Sequence, residues 1–474
     1  MTPRSSVTRR GVPRPLVGAV QGRFLAAATL LLTASIASAK VETWRTEGTS
    51  AFSKAKRDGV VVSDSGEIRL GRAVTPVGKL SAARVWDLAR AKDGALYAAT
   101  GDEGKVYRRE PKPESDWMLV YDSSDTQAIS LAITPDGEVF VGTGATGQVI
   151  ELTDPKHPVS KPDPKVQYIW DLASDSKGNL YAATGPTGQL WKRDRRGDWT
   201  LLLDSKHPHL LCVAVGPDHS IYAGSDGEGL IYRVGNEGKV SILYDAPQAE
   251  VRTLLVAPDG GLYAGTAAES GSGGGSGRST AGLTRSFDET QFGTPEPASA
   301  AHVRFATLGR ERARVRLIQA QPKDAPRPGG SRTSPSGGSA TPHPVKPGDN
   351  AVYHLTPDGV AREVFRSKVL IFALAWSDDR LLVGTGPEGQ LFEIRDRARE
   401  TVPIAKLDNT QILTLLTEPD GGVILGTGDA GGVVRLSEGH LPRGTLTSEV
   451  HDTKLISRFG TLSWRGEAPP ETAI

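Results

Sequence analysis

The sequence predicts an all-β fold, a seven-bladed β-propeller, and three observations lead there. One segment recurs seven times: from Val85 it reads VWDLARAKDGALYAATGDEGKVYRR, and from Ile169 it reads IWDLASDSKGNLYAATGPTGQLWKR. Weaker copies start near Ala128, Leu210, Val251, Ile371 and Gln411. A turn position falls at Gly94, Gly137, Gly178, His219, Gly260, Asp379 and Gly421, so successive spacings are 43, 41, 41, 41, 119 and 42 residues. A period near 42 built from short strands is the signature of propeller blades. No window sustains a helical period, so the strand reading has no local competitor.

Each repeat divides into four strands. In the first copy Val85–Ala89 is a short apolar run, as expected of a strand buried on both faces. Lys92, Asp93 and Gly94 make a tight turn, for which glycine supplies the positive φ. Ala95–Thr100 is the second strand, Gly101–Gly104 a second hairpin loop, Lys105–Arg109 the third strand, and Trp117–Tyr121 the fourth. Small residues recur mid-strand at Ala98, Ala99, Gly142, Ala182, Ala183, Gly224, Gly265, Gly384 and Gly426. Glycine there weakens an isolated sheet, so its recurrence points to sheets packing closely face to face. The one long spacing is a period plus an insertion at 268–350, rich in Gly, Ser and Pro, between the second and third strands of blade five. Such a composition buries too little apolar surface to offset its ordering entropy, and disorder is expected.

The segments Asp93–Tyr107 and Asp136–Ile150 fit D-G-x-[LV]-[YF]-[VA]-[AG]-T-G-x-x-G-x-[VL]-[YW] closely and less closely, respectively. In this motif the chain resembles the bacterial secreted propellers of the NHL and two-component-regulator types, over roughly residues 58–436. It does not resemble a typical WD-repeat protein: the Trp-Asp pairs at 86–87 and 170–171 lie on the first strand of the repeat, and that family carries its pair at the end of the third. The resemblance implies the architecture and a secreted setting and is nearly silent on activity.

The amino terminus reads as a signal peptide over 1–39. Arg4, Arg9, Arg10, Arg14 and Arg23 precede or flank an apolar run at Phe24–Leu32, and Ala37-Ser38-Ala39 fits the small-residue cleavage rule. The run is too short to span a bilayer, so the expected location is periplasmic or extracellular without membrane insertion. Removing these five arginines and no acids changes the formal charge from +1 to −4. That balance gives no electrostatic reason to bind nucleic acid. The single cysteine, Cys212, falls on a first strand and reads as a small buried hydrophobe. After Leu436 the blade pattern stops, and 437–474 reads as a tail resembling the start of a truncated β-sandwich. Ring closure is expected from Gly59–Val62 or Glu67–Leu70 pairing with Gly432–Leu436.

First strands line a propeller's channel, so equivalent positions can be compared as columns. One column runs Trp86, Ile129, Trp170, Leu211, Arg252, Phe372 and Leu413. Its aromatic and basic members, Trp86, Trp170, Arg252 and Phe372, are candidate ligand contacts near the axis. The next column runs Asp87, Ser130, Asp171, Cys212, Thr253, Ala373 and Thr414, in which Asp87 and Asp171 are the only charges. These two could share a divalent cation through oxygen ligands; the structural alternative is that each carboxylate accepts hydrogen bonds from neighbouring backbone. Gluconolactonase-like propellers hold a metal with Glu, Asn and Asp, and the matching Glu and Asn are missing here. Loops of one face carry further acids, among them Asp102, Asp122, Asp125, Asp204, Asp226 and Asp245. They form either an anionic rim for a ligand or ordinary Asp-favouring turns.

No catalytic residue is assigned. The histidines form no repeat-aligned pair, and no phosphate loop, nucleophile elbow or zinc pattern appears. The function expected is an exported monomeric scaffold that binds a protein, peptide or carbohydrate on its loop face and needs no cofactor. The alternative is a metal-dependent, lactonase- or lyase-like propeller enzyme with a channel cation.

Overall fold

A computed structural model describes residues 54–63, 66–153, 160–268, 349–395 and 400–450, with isolated positions 45, 52, 452 and 461. The expected signal peptide, the insertion and the end of the tail lie outside the described residues. All strands fall in the unit Glu47–Ile474; of the other unit, Met1–Thr46, only Arg45 is described.

The repeats fold as antiparallel sheets, each starting with an inner strand. These inner strands are Ala82–Arg90, Gln127–Ile133, Tyr168–Ser174, Leu210–Val215, Glu250–Val256, Leu370–Ser377 and Gln411–Thr417. Each touches the next in sequence, and the seventh touches the first, so seven blades form a closed ring. In blade five the strand Leu262–Ala267 pairs with Asn350–Leu355, which places the ends of the insertion at a second-to-third-strand connection. Blade two shows three full strands among the described residues. After Val149–Glu151 its outer edge, among the described residues, is a single bridge from Val149 to Ser160. Pro162, two residues past that bridge, lacks the amide with which a ladder would continue.

The mid-strand small residues are sockets between blades. A Cβ built on Gly142 would lie 2.5 Å from Cγ2 of Ile169, on the inner strand of the next blade. The same contact recurs from Gly224 to Val251 at 2.6 Å, Gly265 to Ile371 at 2.9 Å, Gly384 to Ile412 at 2.8 Å and Gly426 to Val85 at 2.9 Å. All five inserting side chains are fully buried. One β-branched knob therefore enters the neighbouring sheet at the position where that sheet has no side chain.

Ring closure differs in detail from the expectation. The strand that completes blade seven is Arg72–Pro76, pairing with Val433–His440 in the register Val434 to Pro76 and Leu436 to Val74. The expected segments instead pair with each other, Val60–Val62 against Ile68–Leu70, and this hairpin packs on the outer strand of blade six, Glu400–Lys406. Three consecutive buried valines make Val60–Val62 suited to a covered position rather than an edge. Arg72–Pro76 carries little strand signal because it ends in proline, which an edge tolerates. The closing partner runs past Leu436 to His440, and Thr445–Thr447 then pairs with Lys56–Asp58, so both chain ends meet again beyond the ring.

Two outcomes follow from this packing. Replacing Gly384 by Val should cost about 1–3 kcal/mol through overpacking, measured by denaturant unfolding; an unchanged midpoint would show that Ile412 has room to move. A chain beginning at Leu80 loses the closing strand and leaves Val433–His440 as an open edge. Its thermal midpoint should fall by the equivalent of several kcal/mol, at about 2–4 °C for each, and further than that of a chain beginning at Gly71, which loses the packed hairpin but keeps the closing strand.

Candidate functional site at the channel mouth

Every inner strand carries a β-bulge at the same place. Pairing skips from Val85 to Asp87, from Ala128 to Ser130, from Ile169 to Asp171, from Leu210 to Cys212, from Val251 to Thr253, from Ile371 to Ala373 and from Ile412 to Thr414. The skipped residues are Trp86, Ile129, Trp170, Leu211, Arg252, Phe372 and Leu413, the column singled out in the sequence. Bulges re-aim side chains, and here seven of them act at one end of the channel.

The structure packs these side chains under the second-to-third-strand loops. A Cβ on Gly101 would lie 2.5 Å from Trp86 Nε1, and one on Gly386 would lie 2.8 Å from the Phe372 ring. Trp86 Nε1 donates to Gln127 Oε1 at 2.7 Å, and the Arg84 guanidinium sits 6.0 Å from the Trp86 ring centroid. Trp170 stacks on Tyr168 with ring centroids 4.7 Å apart and donates to His209 Nδ1 at 2.9 Å. That bond leaves the His209 proton on Nε2 in the neutral tautomer. Arg252 pairs with Glu250 at 2.6 Å. Trp86 and Phe372 are half-buried, whereas Trp170 is buried.

A second ring of side chains was not singled out in the sequence. It comprises Arg84, Gln127, Tyr168, His209, Glu250, Leu370 and Gln411, each two residues before a bulge. The same column comparison, moved two places earlier, would have found it. Its members hold the bulged residues of their own blade, as Glu250 does, or of the preceding one, as Gln127 and His209 do.

The rim acids divide by role. Asp102, at a φ of 71°, accepts from one terminal nitrogen of Arg84, Nη1, through both carboxylate oxygens, at 2.9 and 3.0 Å. Asp122, Asp204 and Asp245 end outer strands and are exposed. Asp125 turns inward: it is buried and accepts hydrogen bonds from the Thr146 hydroxyl at 2.7 Å and the Thr143 hydroxyl. Asp226 is half-buried, and burial raises its pKa although Arg252 and His207 act in the opposite direction.

Asp87 and Asp171 staple blades together. Asp87 accepts from the Leu88 amide at 2.8 Å, from the Leu131 amide of the next blade at 2.8 Å, and from Thr414 Oγ1 of the preceding blade at 3.3 Å. Asp171 accepts from Leu172 at 2.9 Å and from Val213 of the next blade at 2.8 Å. In the same column Ser130 Oγ donates to the Ile169 carbonyl and Cys212 Sγ to the Val251 carbonyl. Burial pushes the Asp87 carboxyl up to about 6. Burial, reinforced by the charge of Asp87, pushes Asp171 up to about 8. Among the described residues no three His, Cys, Asp or Glu side chains stand together as a metal-binding group.

With this geometry in place, the fold can be compared with known proteins. No protein-family model and no curated protein matches the sequence. Solved structures do match. A streptogramin B lyase aligns with a TM-score of 0.53 at 10% identity, covering 77% of this chain and 98% of that one. The WD40 propeller domain of Doa1 aligns at 0.51 and 10% identity, covering 78% and 97%. An extracellular domain assigned to a hybrid two component system of B. thetaiotaomicron aligns at 0.50 and 13%, covering 78% of this chain and 42% of that one. The chain is a β-propeller. Identities this low carry the fold alone, since propellers host many unrelated activities.

The raised carboxyls set a pH dependence whose sign is fixed. The unfolded chain releases the Asp171 proton near pH 4, whereas the folded chain keeps it to about 8. The folded state therefore binds more protons across that window, and stability falls as pH rises through it. Asp87 adds to the fall up to about pH 6. Urea unfolding between pH 5 and 8 should show a decline on the order of a few kcal/mol, and Asp171→Asn should flatten it. An equal slope in the variant would assign the decline to other groups.

Proposed function

We propose that this propeller is an exported binding scaffold that takes a protein, peptide or carbohydrate ligand at the channel mouth on its loop face. The observation that carries the reading is the sevenfold bulge, which sets one side chain from each blade at the same level of the ring, beneath the loop face. Half-buried Trp86 and Phe372 offer apolar surface there, and Asp226 beside Arg252 offers polar partners that are already partly desolvated. Exposed Asp122, Asp204 and Asp245 form an outer rim that favours a cationic or hydroxyl-rich ligand. Concave sites with a few convergent polar groups on an apolar base are the usual form of a ligand site.

The second reading is a lactonase- or lyase-like enzyme with a divalent cation between Asp87 and Asp171. The mutual repulsion of these carboxyls supports it, because a cation would relieve that repulsion. Against it stand the backbone amides that already occupy both carboxylates.

A thermal-shift screen with short peptides, oligosaccharides and divalent cations separates the two. The scaffold reading expects a peptide or sugar to raise the midpoint, with Asp226→Asn and Phe372→Leu each removing the shift. A ligand whose shift survives both changes binds elsewhere and overturns the site. Stoichiometric metal in the purified protein, lost in Asp87→Asn, would favour the enzyme.

A further inference from the structure

A cavity lies away from the channel mouth, where the chain closes its ring. It has a volume of about 370 Å³ and is walled by the amino-terminal hairpin, the closing strand and blades six and seven. The inner-to-second-strand turns at Asp378 and Gly421 border it, so it opens on the face opposite the loops. Four guanidinium groups line it: Arg69, Arg72, Arg380 and Arg395.

Three of the four have carboxylate partners. Arg69 pairs with Glu67 at 2.6 Å. Arg380 pairs with Asp378 at 3.0 Å and with Glu393 at 3.1 Å, and Arg395 Nε reaches the same Glu393 at 2.7 Å. Glu393 is buried, so one carboxylate is shared by two cations. Arg72 differs. Its Nε donates to the Ser437 carbonyl at 2.7 Å, which aligns the fork, and it forms no ion pair among the described residues. It is half-buried. Burial and, secondarily, the nearby Arg380 charge depress its pKa, partly offset by Glu393, Glu438 and Asp378.

We propose that this cavity is a binding site for a small oxyanion, a phosphate or carboxylate group, held by the two terminal nitrogens of Arg72 with Arg380 as the neighbouring cation. Burying a cation without a partner is costly, and a guanidinium fork with its Nε already anchored is preorganised for two parallel bonds to one oxyanion. The cavity has room for such a group beside it. Because Arg72 begins the closing strand, an anion bound there holds the hairpin, blade six and blade seven together, and binding stabilises the folded ring. This site is independent of the channel mouth.

The test is isothermal titration of the full-length protein with inorganic phosphate and, separately, citrate. Ionic strength is held constant with sodium chloride, so that general salting effects are matched. Saturable one-site binding of either anion supports the proposal, and the anion preferred states whether the group is phosphoryl or carboxylate. Arg72→Gln should weaken that binding at least about tenfold, and Arg196→Gln, at an exposed position outside the cavity, should leave it unchanged. Glu438→Gln removes an acid from the cavity wall and should tighten binding several-fold, a readout that survives if Arg72→Gln fails to fold. Absence of saturable binding by both anions, equal affinity in Arg72→Gln, or no change in Glu438→Gln would overturn the assignment.

Discussion

The ring depends on a contact between a side chain and the lack of one. Val85, Ile169, Val251, Ile371 and Ile412 each drive a branched side chain into the preceding blade at a glycine. A larger residue there would push the sheets apart by a side chain's thickness, and each added gap would have to be absorbed around a closed circle. An open sheet could splay to accommodate it; a ring of seven cannot. The stiffness of β-branched side chains suits the knob, since one preferred rotamer fixes where the methyl group goes. Blades one and three use alanine, Ala99 and Ala183, in the equivalent socket.

The bulge follows from the same geometry. With the knob fixed at Val85 and the aspartate of the next column reaching Leu131 across the blade boundary, one residue between them has no ladder partner. That residue is Trp86, and its equivalents in the other blades share the fate. The mouth is therefore a by-product of how blades are clamped together, which leaves its chemistry free to vary from blade to blade. Trp, Ile, Leu, Phe and Arg all occur in a column whose backbone is nearly constant. In this way a packing constraint leaves one position in each blade free to vary while the backbone around it stays fixed.

Much of this was legible in the sequence and some was not, for identifiable reasons. Strand positions in blade one came out within a few residues because Asp93-Gly94 and Gly101–Gly104 punctuate them unambiguously. The small-residue column was legible because glycine mid-strand has a cost that only packing offsets. The closing strand was misplaced because Val60–Val62 looks more strand-like than Arg72–Pro76, and local pattern cannot tell a hairpin from a ladder formed some 360 residues away. Asp125 looked like a rim acid because its neighbours are turn formers. Only the fold brings Thr143 and Thr146 to it. Asp87 and Asp171 were correctly isolated as the two charges of their column, and the structure gives them the backbone partners that the sequence could only offer as an alternative.

The two faces of the ring thus answer to different demands. On the loop face, the guanidinium groups of the inner strands are paired within their own blade: Arg84 with Asp102, Arg252 with Glu250. On the turn face near the closure, guanidinium groups outnumber the carboxylates that line the same cavity, and Glu393 serves two of them. The difference traces to topology. Loop-face pairs form between neighbours in a repeat, so each blade can bring its own partner. The closure joins a strand from the start of the chain to blades from its end, and Arg72 arrives at a wall where Asp378 and Glu393 already pair with other guanidinium groups. A charge brought in by closure and left without a carboxylate is where a soluble anion can enter the structure as a component of the ring.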